Sequence, residues 1–80
     1  MPGVARPSSP DPALARAIRD LRQRRGLSQE AAAQRAGLTV SAYARIERGE
    51  ANPTWTTVTQ VAHALEMTLV DLASTVEKNR

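Results

Sequence analysis

The side chains with the clearest chemical potential in this sequence are arginines, and they are concentrated in its first half. Met1 to Arg48 contains nine arginines against four carboxylates, a net charge of +5, whereas Gly49 to Arg80 carries −2. A guanidinium forms forked hydrogen bonds to phosphate and to guanine that an ammonium group cannot form. A positive half of this kind is typical of a polyanion-binding protein, although the solvated face of a small protein would give the same charge.

The sequence offers little for catalysis or metal binding. It has no cysteine, and its one histidine, His63, has no second His or Cys at ligand spacing, so we expect His63 on a helix surface. There is no Gly-rich phosphate loop and no pair of carboxylates placed for acid–base work. A chain of 80 residues also leaves little room for a substrate pocket. We therefore expect no enzyme activity, no metal, no cofactor and no small-molecule ligand.

The stretch from Ser28 to Gly49 predicts two short helices joined by a tight turn. Ser28 is a good N-cap, because its hydroxyl can accept from the free N–H groups of the first turn. An alanine-rich run follows, and Gly37 ends it in the left-handed conformation that glycine adopts easily. Thr39 caps the second helix, and the small Ala33 lets the two helices cross closely. This is the outline of a helix-turn-helix, whose second helix enters the DNA major groove.

Three more helices complete a predicted all-α fold. The first begins at Asp11-Pro12, an N-cap followed by a proline in the first turn, and ends near Gly26. Thr54 and Thr68 cap the fourth and fifth helices. Each of these helices carries an apolar stripe at helical spacing. The stripes are Leu14, Ala17, Ile18 and Leu21 on the first helix, Val58, Val61, Ala62 and Leu65 on the fourth, and Leu69, Leu72, Ala73 and Val76 on the fifth.

The size and composition favour one small domain. We expect residues 11–77 to form it, with the helix-turn-helix at about 28–48, a disordered arm at 1–10 and a C-terminal tail at 78–80. Hydrophobic residues make up 41% of the chain, enough for a modest core of packed helices. The sequence has no apolar run of about 18 residues and no apolar segment of a signal peptide at its N-terminus. We expect a cytoplasmic protein with no membrane partner.

Four stretches resemble the phage-repressor and Cro-like helix-turn-helix family. They are Arg22-Gln23-Arg24-Arg25-Gly26-Leu27-Ser28-Gln29-Glu30, Arg45-Ile46-Glu47-Arg48-Gly49, Asn52-Pro53-Thr54 and Ala62-His63-Ala64-Leu65. The likeness runs from about Leu14 to Leu72, across all five helices. It implies a five-helix, lambda-repressor-like DNA-binding domain. The overall size resembles stand-alone members such as restriction–modification controller proteins, small phage repressors and antitoxin-type regulators.

The resemblance also implies roles for individual residues. It places four positions of the recognition helix toward the groove, namely Val40, Ser41, Ala44 and Arg45. It assigns contacts with the DNA backbone to Gln29, Asn52 and Thr54. Thr39 and Arg48 complete the expected DNA-binding set. Two positions are expected to face inward, Tyr43 and Ile46, and a partly buried ion pair between the first and third helices is expected from Arg22 and Glu47.

Several of these roles have an alternative. Arg45 is expected to pair with guanine, and otherwise contacts a phosphate or solvent. Ser41 either meets a base or phosphate or helps to cap its helix. Gln29 contacts the DNA backbone or is an exposed residue at a helix start. For Arg35 and Arg48, phosphate contact and a solvated surface position are equally open.

Three departures from the family pattern affect packing and strain. Ala32 stands where leucine is usual, so the core there is thin unless Tyr43 or Trp55 fills it. Trp55 is expected to plug the core or an interface rather than to stack on single-stranded nucleic acid. Glu66 replaces the usual glycine after the fourth helix, where a left-handed conformation costs a non-glycine residue about 1 kcal/mol. Val40 is apolar where a polar base reader is common.

The leading hypothesis is a homodimeric, sequence-specific regulator of double-stranded DNA that controls its own synthesis. The apolar stripe of the fifth helix, Leu69, Leu72, Ala73 and Val76, is expected to form the dimer interface; the alternative is a monomer in which this stripe only seals the core. The competing function is a protein-binding helix-turn-helix module, such as an antitoxin or a coactivator-type bridge. The polar groove-facing residues Ser41 and Arg45 favour DNA.

Overall fold

The computed structural model describes residues 10–80, and these residues contain five helices and no strand. The helices are α1 (Pro12–Arg24), α2 (Gln29–Ala36), α3 (Val40–Glu47), α4 (Trp55–Ala64) and α5 (Leu69–Lys78). The all-α, five-helix prediction is confirmed. The disordered arm expected at 1–10 lies, apart from Pro10, outside the described residues.

Every helix begins at the residue that the sequence predicts as its N-cap. In each case the side-chain oxygen of the cap accepts a hydrogen bond, 3.0 or 3.1 Å long, from a backbone N–H in the first turn. The five caps are Asp11, Ser28, Thr39, Thr54 and Thr68. This contact satisfies a donor that the helix itself cannot pair.

Four helices end with the same backbone closure. At the end of α2, the Leu38 N–H donates to the Ala33 carbonyl oxygen at 2.9 Å, and α1, α3 and α4 close in the same way. Each closure needs a left-handed residue just before the donor. Glycine supplies it after α1, α2 and α3, but after α4 it is Glu66, at φ 58°. The expected departure from glycine is therefore present, with its strain.

The core is built around small residues of α2 and one large aromatic of α3. Ala32 and Ala33 are fully buried, and their size lets α2 pack closely against both α3 and α4. Tyr43 is also fully buried and fills the space that the alanines leave. Trp55 does not fill this space, because its side chain is 69% exposed. The expectation that Trp55 packs in the core is therefore wrong.

The fifth helix completes the core of its own chain. Leu72 is 2% exposed and Val76 is also buried, both within the main hydrophobic cluster. These two residues were expected at a dimer interface; within one chain they are already largely covered, and a contact with a second copy stays a prediction. They are covered because α5 packs chiefly on α1, and also on α4, so its inward stripe is needed to close the monomer. Of the expected interface set, Leu69 remains partly accessible and Ala73 exposed.

The last residues are packed rather than free. Helix α5 includes Lys78, and Arg80 Nη2 lies 2.8 Å from the Asp11 carboxylate at the start of α1. The guanidinium of Arg16 donates to the Asn79 carbonyl oxygen at 2.8 Å. The expected tail at 78–80 is thus part of the fold. None of the helices in residues 10–80 has the length and apolarity to cross a membrane.

Candidate nucleic-acid interface

The outer face of α3 carries most of the residues expected to contact DNA. Their side chains are exposed, starting at the N-cap and continuing past the last turn; they are Thr39, Val40, Ser41, Arg45 and Arg48. The opposite face of α3 is buried. The helix therefore presents polar and basic groups outward, together with two exposed apolar residues in its first turn, Val40 and Ala42.

Ala44 does not belong to this outer face. It is only 8% exposed, which contradicts its expected place in the groove-facing set. At about 100° per residue, Ala44 lies beside the arc that runs from Ile46 through Tyr43 to Glu47, all of which are buried. The methyl group of Ala44 is too short to extend past the neighbouring side chains. It is therefore shielded from solvent at the edge of the buried arc.

Two arginines of the outer face are held loosely by the residue that follows the turn. Arg45 Nη2 donates to the Glu50 carbonyl oxygen at 3.4 Å, and Arg48 Nη2 lies 3.0 Å from Glu50 Oε1. The hydrogen bond from Arg48 lowers the pKa of Glu50 and keeps it ionised. Because all three side chains are exposed, these contacts are weak and can exchange for contacts with a nucleic acid.

A buried ion pair fixes α3 against α1. Arg22 Nε lies 2.6 Å from Glu47 Oε2 and Arg22 Nη2 lies 3.0 Å from Oε1, a forked arrangement. The third nitrogen, Nη1, donates to the Leu27 carbonyl oxygen at 2.8 Å and so secures the connection to α2. The Glu47 side chain is 1% exposed. The ion pair expected from the resemblance is present. Its two parallel hydrogen bonds make it stronger than an ion pair with a single contact.

Gln29 is tied to the same carboxylate. Its Nε2 donates to Glu47 Oε1 at 3.0 Å, which joins α2 to α3. Burial alone would raise the pKa of Glu47, but the hydrogen bond from Arg22 outweighs it, helped by the nearby Tyr43 hydroxyl and by Gln29, and the net effect is a lowered pKa. No local pattern in the sequence indicates the bond from Gln29, because it depends on how α2 and α3 are placed relative to each other. It leaves the second amide hydrogen of Gln29 free to donate to a phosphate oxygen.

The Tyr43 hydroxyl lies buried near this group without a hydrogen-bond partner among the described residues. Burial raises its pKa strongly, and the Glu47 carboxylate raises it further, so the phenol is neutral. Tyr43 therefore contributes its ring to the core and does not reach the outer face.

The connection from α3 to α4 carries the other two expected backbone contacts. Asn52 and Thr54 are both exposed there. The Thr54 hydroxyl also caps α4, accepting from the Thr57 N–H at 3.1 Å. Their contact with a DNA backbone stays a prediction.

An apolar groove lies on another part of the surface, between α1, α4 and α5. Its volume is about 330 Å³. Its apolar lining is formed by seven residues, namely Leu14, Trp55, Val58, Leu69, Leu72, Ala73 and Val76. The sequence predicts Trp55 in the core or at an interface. That Trp55 lines the same groove as Leu14 and Val58 is seen only in the packed structure. Residues 10–80 hold no cluster of His, Cys, Asp or Glu suited to a metal ion.

Comparison with known proteins gives a family and several similar structures. The model of the helix-turn-helix domain family matches residues 13–74. The restriction-modification controller protein C.AhdI from Aeromonas hydrophila is 33% identical, with a TM-score of 0.74 over 76% of this chain and 92% of that chain. A search of the curated proteins found no match.

Two further structures share the fold at lower identity. The wild-type restriction-modification controller protein C.Esp1396I has a TM-score of 0.83 and 23% identity, over 91% of this chain and 94% of that chain. The clp gene regulator ClgR from Corynebacterium glutamicum has a TM-score of 0.81 and 22% identity, over 85% of this chain and 72% of that chain.

Proposed function

This chain belongs to the helix-turn-helix domain family, and we propose that it is a transcriptional regulator that binds double-stranded DNA sequence-specifically as a homodimer. The observation that carries the proposal is the outer face of α3. Ser41 and Arg45 are exposed on it, while its inner face is locked to the domain by the core and by the buried pair between Arg22 and Glu47. A helix held in this way can enter a major groove as a rigid element.

The proposed contacts divide into two kinds. Arg45 is assigned to base reading, because a guanidinium can bond guanine at two positions, and Ser41 is assigned to a base edge or phosphate. Contacts with the DNA backbone are assigned to Gln29, Asn52 and Thr54, at the starts of α2 and α4. Thr39, Val40 and Arg48 flank the reading positions; Val40 can touch a thymine methyl group.

The similarity to C.AhdI supports a small regulator. That protein is described as a restriction-modification controller and is 33% identical over 92% of its length. We propose that the present chain controls its own synthesis. Dimer formation and operator occupancy would then rise together with its concentration, which gives a threshold response.

The apolar groove supports the homodimer. Exposed apolar surface of this kind, with Trp55 at its edge, is typical of an interaction site. The proposed occupant of the groove is a second copy of this chain. The groove is built by α1, α4 and α5, and α5 packs mainly on α1 and α4. A second copy bound there would leave the outer face of α3 accessible to DNA. Two-fold symmetry would place two recognition helices about 34 Å apart, which predicts a palindromic operator with half-sites roughly 10 base pairs apart.

Selection from a random duplex library tests the proposed function. We expect one palindromic sequence to be enriched, and binding to weaken linearly on a logarithmic salt scale with a slope of about −0.9 per phosphate contact. Enrichment of no sequence would overturn sequence-specific binding.

Two variants then separate reading from positioning. Arg45→Ala should lose discrimination at one base pair by about 1–3 kcal/mol. Gln29→Ala should weaken binding to all duplexes more evenly. An unchanged base preference in Arg45→Ala would show that Arg45 does not read the sequence.

A further inference from the structure

A cleft beside the helix-turn-helix gathers arginines that lie mostly outside the proposed DNA contacts. Its volume is about 590 Å³, and it lies between the first half of α1 and the residues that follow α3. Arg16 and Arg19 line it from α1, and Arg48 lines it from the end of α3. The two walls meet closely at Gly49, where a Cβ would lie 3.8 Å from the Cβ of Ala15.

The carboxylates of this cleft are already engaged. Glu47 is buried and bound to Arg22, and Glu50 lies 3.0 Å from Arg48. Arg19 is exposed and has no carboxylate within ion-pair distance in residues 10–80. The cleft is therefore positively charged, with one guanidinium ready to bind an anion.

Arg16 adds to this charge although it has a hydrogen-bond partner. It donates to the Asn79 carbonyl oxygen, which is neutral and leaves the positive charge uncompensated. Because Arg16 and Arg19 are three residues apart on a helix, their side chains lie on neighbouring parts of one face. Arg16 and Arg19 thus place two positive charges along one wall of the cleft, which favours a phosphate there.

The cleft is continuous with the outer face of α3, because Arg48 belongs to both. A duplex that meets α3 would carry its closely spaced phosphates past Arg48 toward α1. We infer that this cleft binds a backbone phosphate outside the base pairs that α3 reads, with Arg19 as the principal contact. The inference rests on the proposed function, since it requires a DNA duplex on α3.

The first test compares Arg19→Ala with Arg35→Ala in salt titrations on the selected operator and on an unrelated duplex. Arg35 is the control, an exposed arginine at the end of α2 that lies beside α4 and 4.0 Å from Glu66, away from the cleft; this position favours the solvated alternative for Arg35 over a phosphate contact. Arg19→Ala should reduce the salt slope by about 1 per subunit, equally on both duplexes. When the salt concentration rises fourfold, the affinity of the variant should therefore fall about threefold less than that of the wild type for each contact removed. Arg35→Ala should retain the wild-type slope.

The second test locates the phosphate. Single neutral methylphosphonate groups are placed at successive backbone positions of the operator. One position flanking the half-site should weaken wild-type binding about threefold and leave Arg19→Ala unaffected. Circular dichroism should show both variants folded, since both side chains are exposed.

The outcomes distinguish the two claims. Equal slopes for Arg19→Ala and Arg35→Ala, or a change of base preference in Arg19→Ala, would overturn the phosphate contact while leaving DNA binding intact. Failure of the wild type to bind any duplex would instead overturn the proposed function itself.

Discussion

The hydrogen bonds of the Glu47 side chain join three helices. It stands on α3, accepts two hydrogen bonds from Arg22 on α1 and accepts a third from Gln29 on α2. A buried carboxylate is costly unless it is paired and hydrogen-bonded, and here it is both. The orientation of the proposed recognition helix thus depends on one ionised group.

Breaking this group should be expensive. We expect Glu47→Ala to lower the free energy of unfolding by about 3–5 kcal/mol, because Arg22 is left charged and largely buried. The double variant Arg22→Met with Glu47→Leu should lie close to the wild type. Urea unfolding measures both, with Glu30→Ala as the exposed-carboxylate control. A loss in Glu47→Ala no larger than in the control would show that the pair contributes nothing.

The same carboxylate makes stability depend on acid pH. Its pKa in the folded protein is lowered from the ordinary value of 4.5, so its contribution is fully present above that value and declines as the pH falls through the lower, folded pKa. Urea unfolding at a series of pH values below about 5 should show a smaller acid-side decline in Glu47→Gln than in the wild type. If the free energy of unfolding fell equally with pH in Glu47→Gln and in the wild type, carboxylates other than Glu47 would be responsible for the loss of stability in acid.

Tyr43 offers the opposite case, a buried hydroxyl near the Glu47 carboxylate that makes no well-formed hydrogen bond in the described part of the chain. Its hydroxyl has no partner in the described residues, and an unpaired buried hydroxyl costs about 1–3 kcal/mol. Tyr43→Phe should therefore leave the free energy of unfolding unchanged or raise it. Thermal unfolding decides this, and a loss of more than about 1 kcal/mol would show that the hydroxyl is bonded after all.

Among the elements, the end of α4 is the strained one. Glu66 holds the left-handed conformation that glycine holds after α1, α2 and α3. We expect Glu66→Gly to raise the free energy of unfolding by about 0.5–1 kcal/mol. Glu66→Ala is the matched control, since alanine keeps the strain, and it should show no gain. A gain of equal size in both variants would trace the effect to the lost carboxylate instead.

The element boundaries could be predicted from the sequence because caps and left-handed closures are local. The cap hydroxyl and its N–H partner are at most three residues apart, as at Ser28. The failures are all tertiary. Whether Leu72 faces a partner or its own core, and whether Ala44 is covered, depends on neighbours distant in sequence. The same holds for Trp55, whose exposure no local pattern determines.

For the whole molecule, the groove predicts how copies associate. We expect sedimentation at tens of micromolar to show a dimer for the wild type and a monomer for Ala73→Asp, because a charge in the groove opposes burial of its apolar lining. Val70→Asp is the control. Val70 is 77% exposed on the same helix but does not line the groove.

The choice of position matters for this measurement. Ala73 is exposed, so its substitution leaves the monomer intact, whereas a charge at Leu72 would disrupt the core. Circular dichroism should show both variants folded. A wild type that stays monomeric with and without DNA would contradict the dimer, and dissociation by Val70→Asp alone would move the interface to the other side of α5.

The contact between Arg80 and Asp11 closes the longest loop in the fold, since 69 positions separate the two residues. Closing a loop of this length costs more entropy than packing α2 against α3, which are neighbours in the sequence. We expect native-state hydrogen exchange to reveal opening of α5 as a unit, at lower free energy than α2 and α3. Since the proposed groove is partly built by α5, association should slow this exchange as protein concentration rises. If the exchange rate in α5 did not change with protein concentration, dimer formation would not involve this helix.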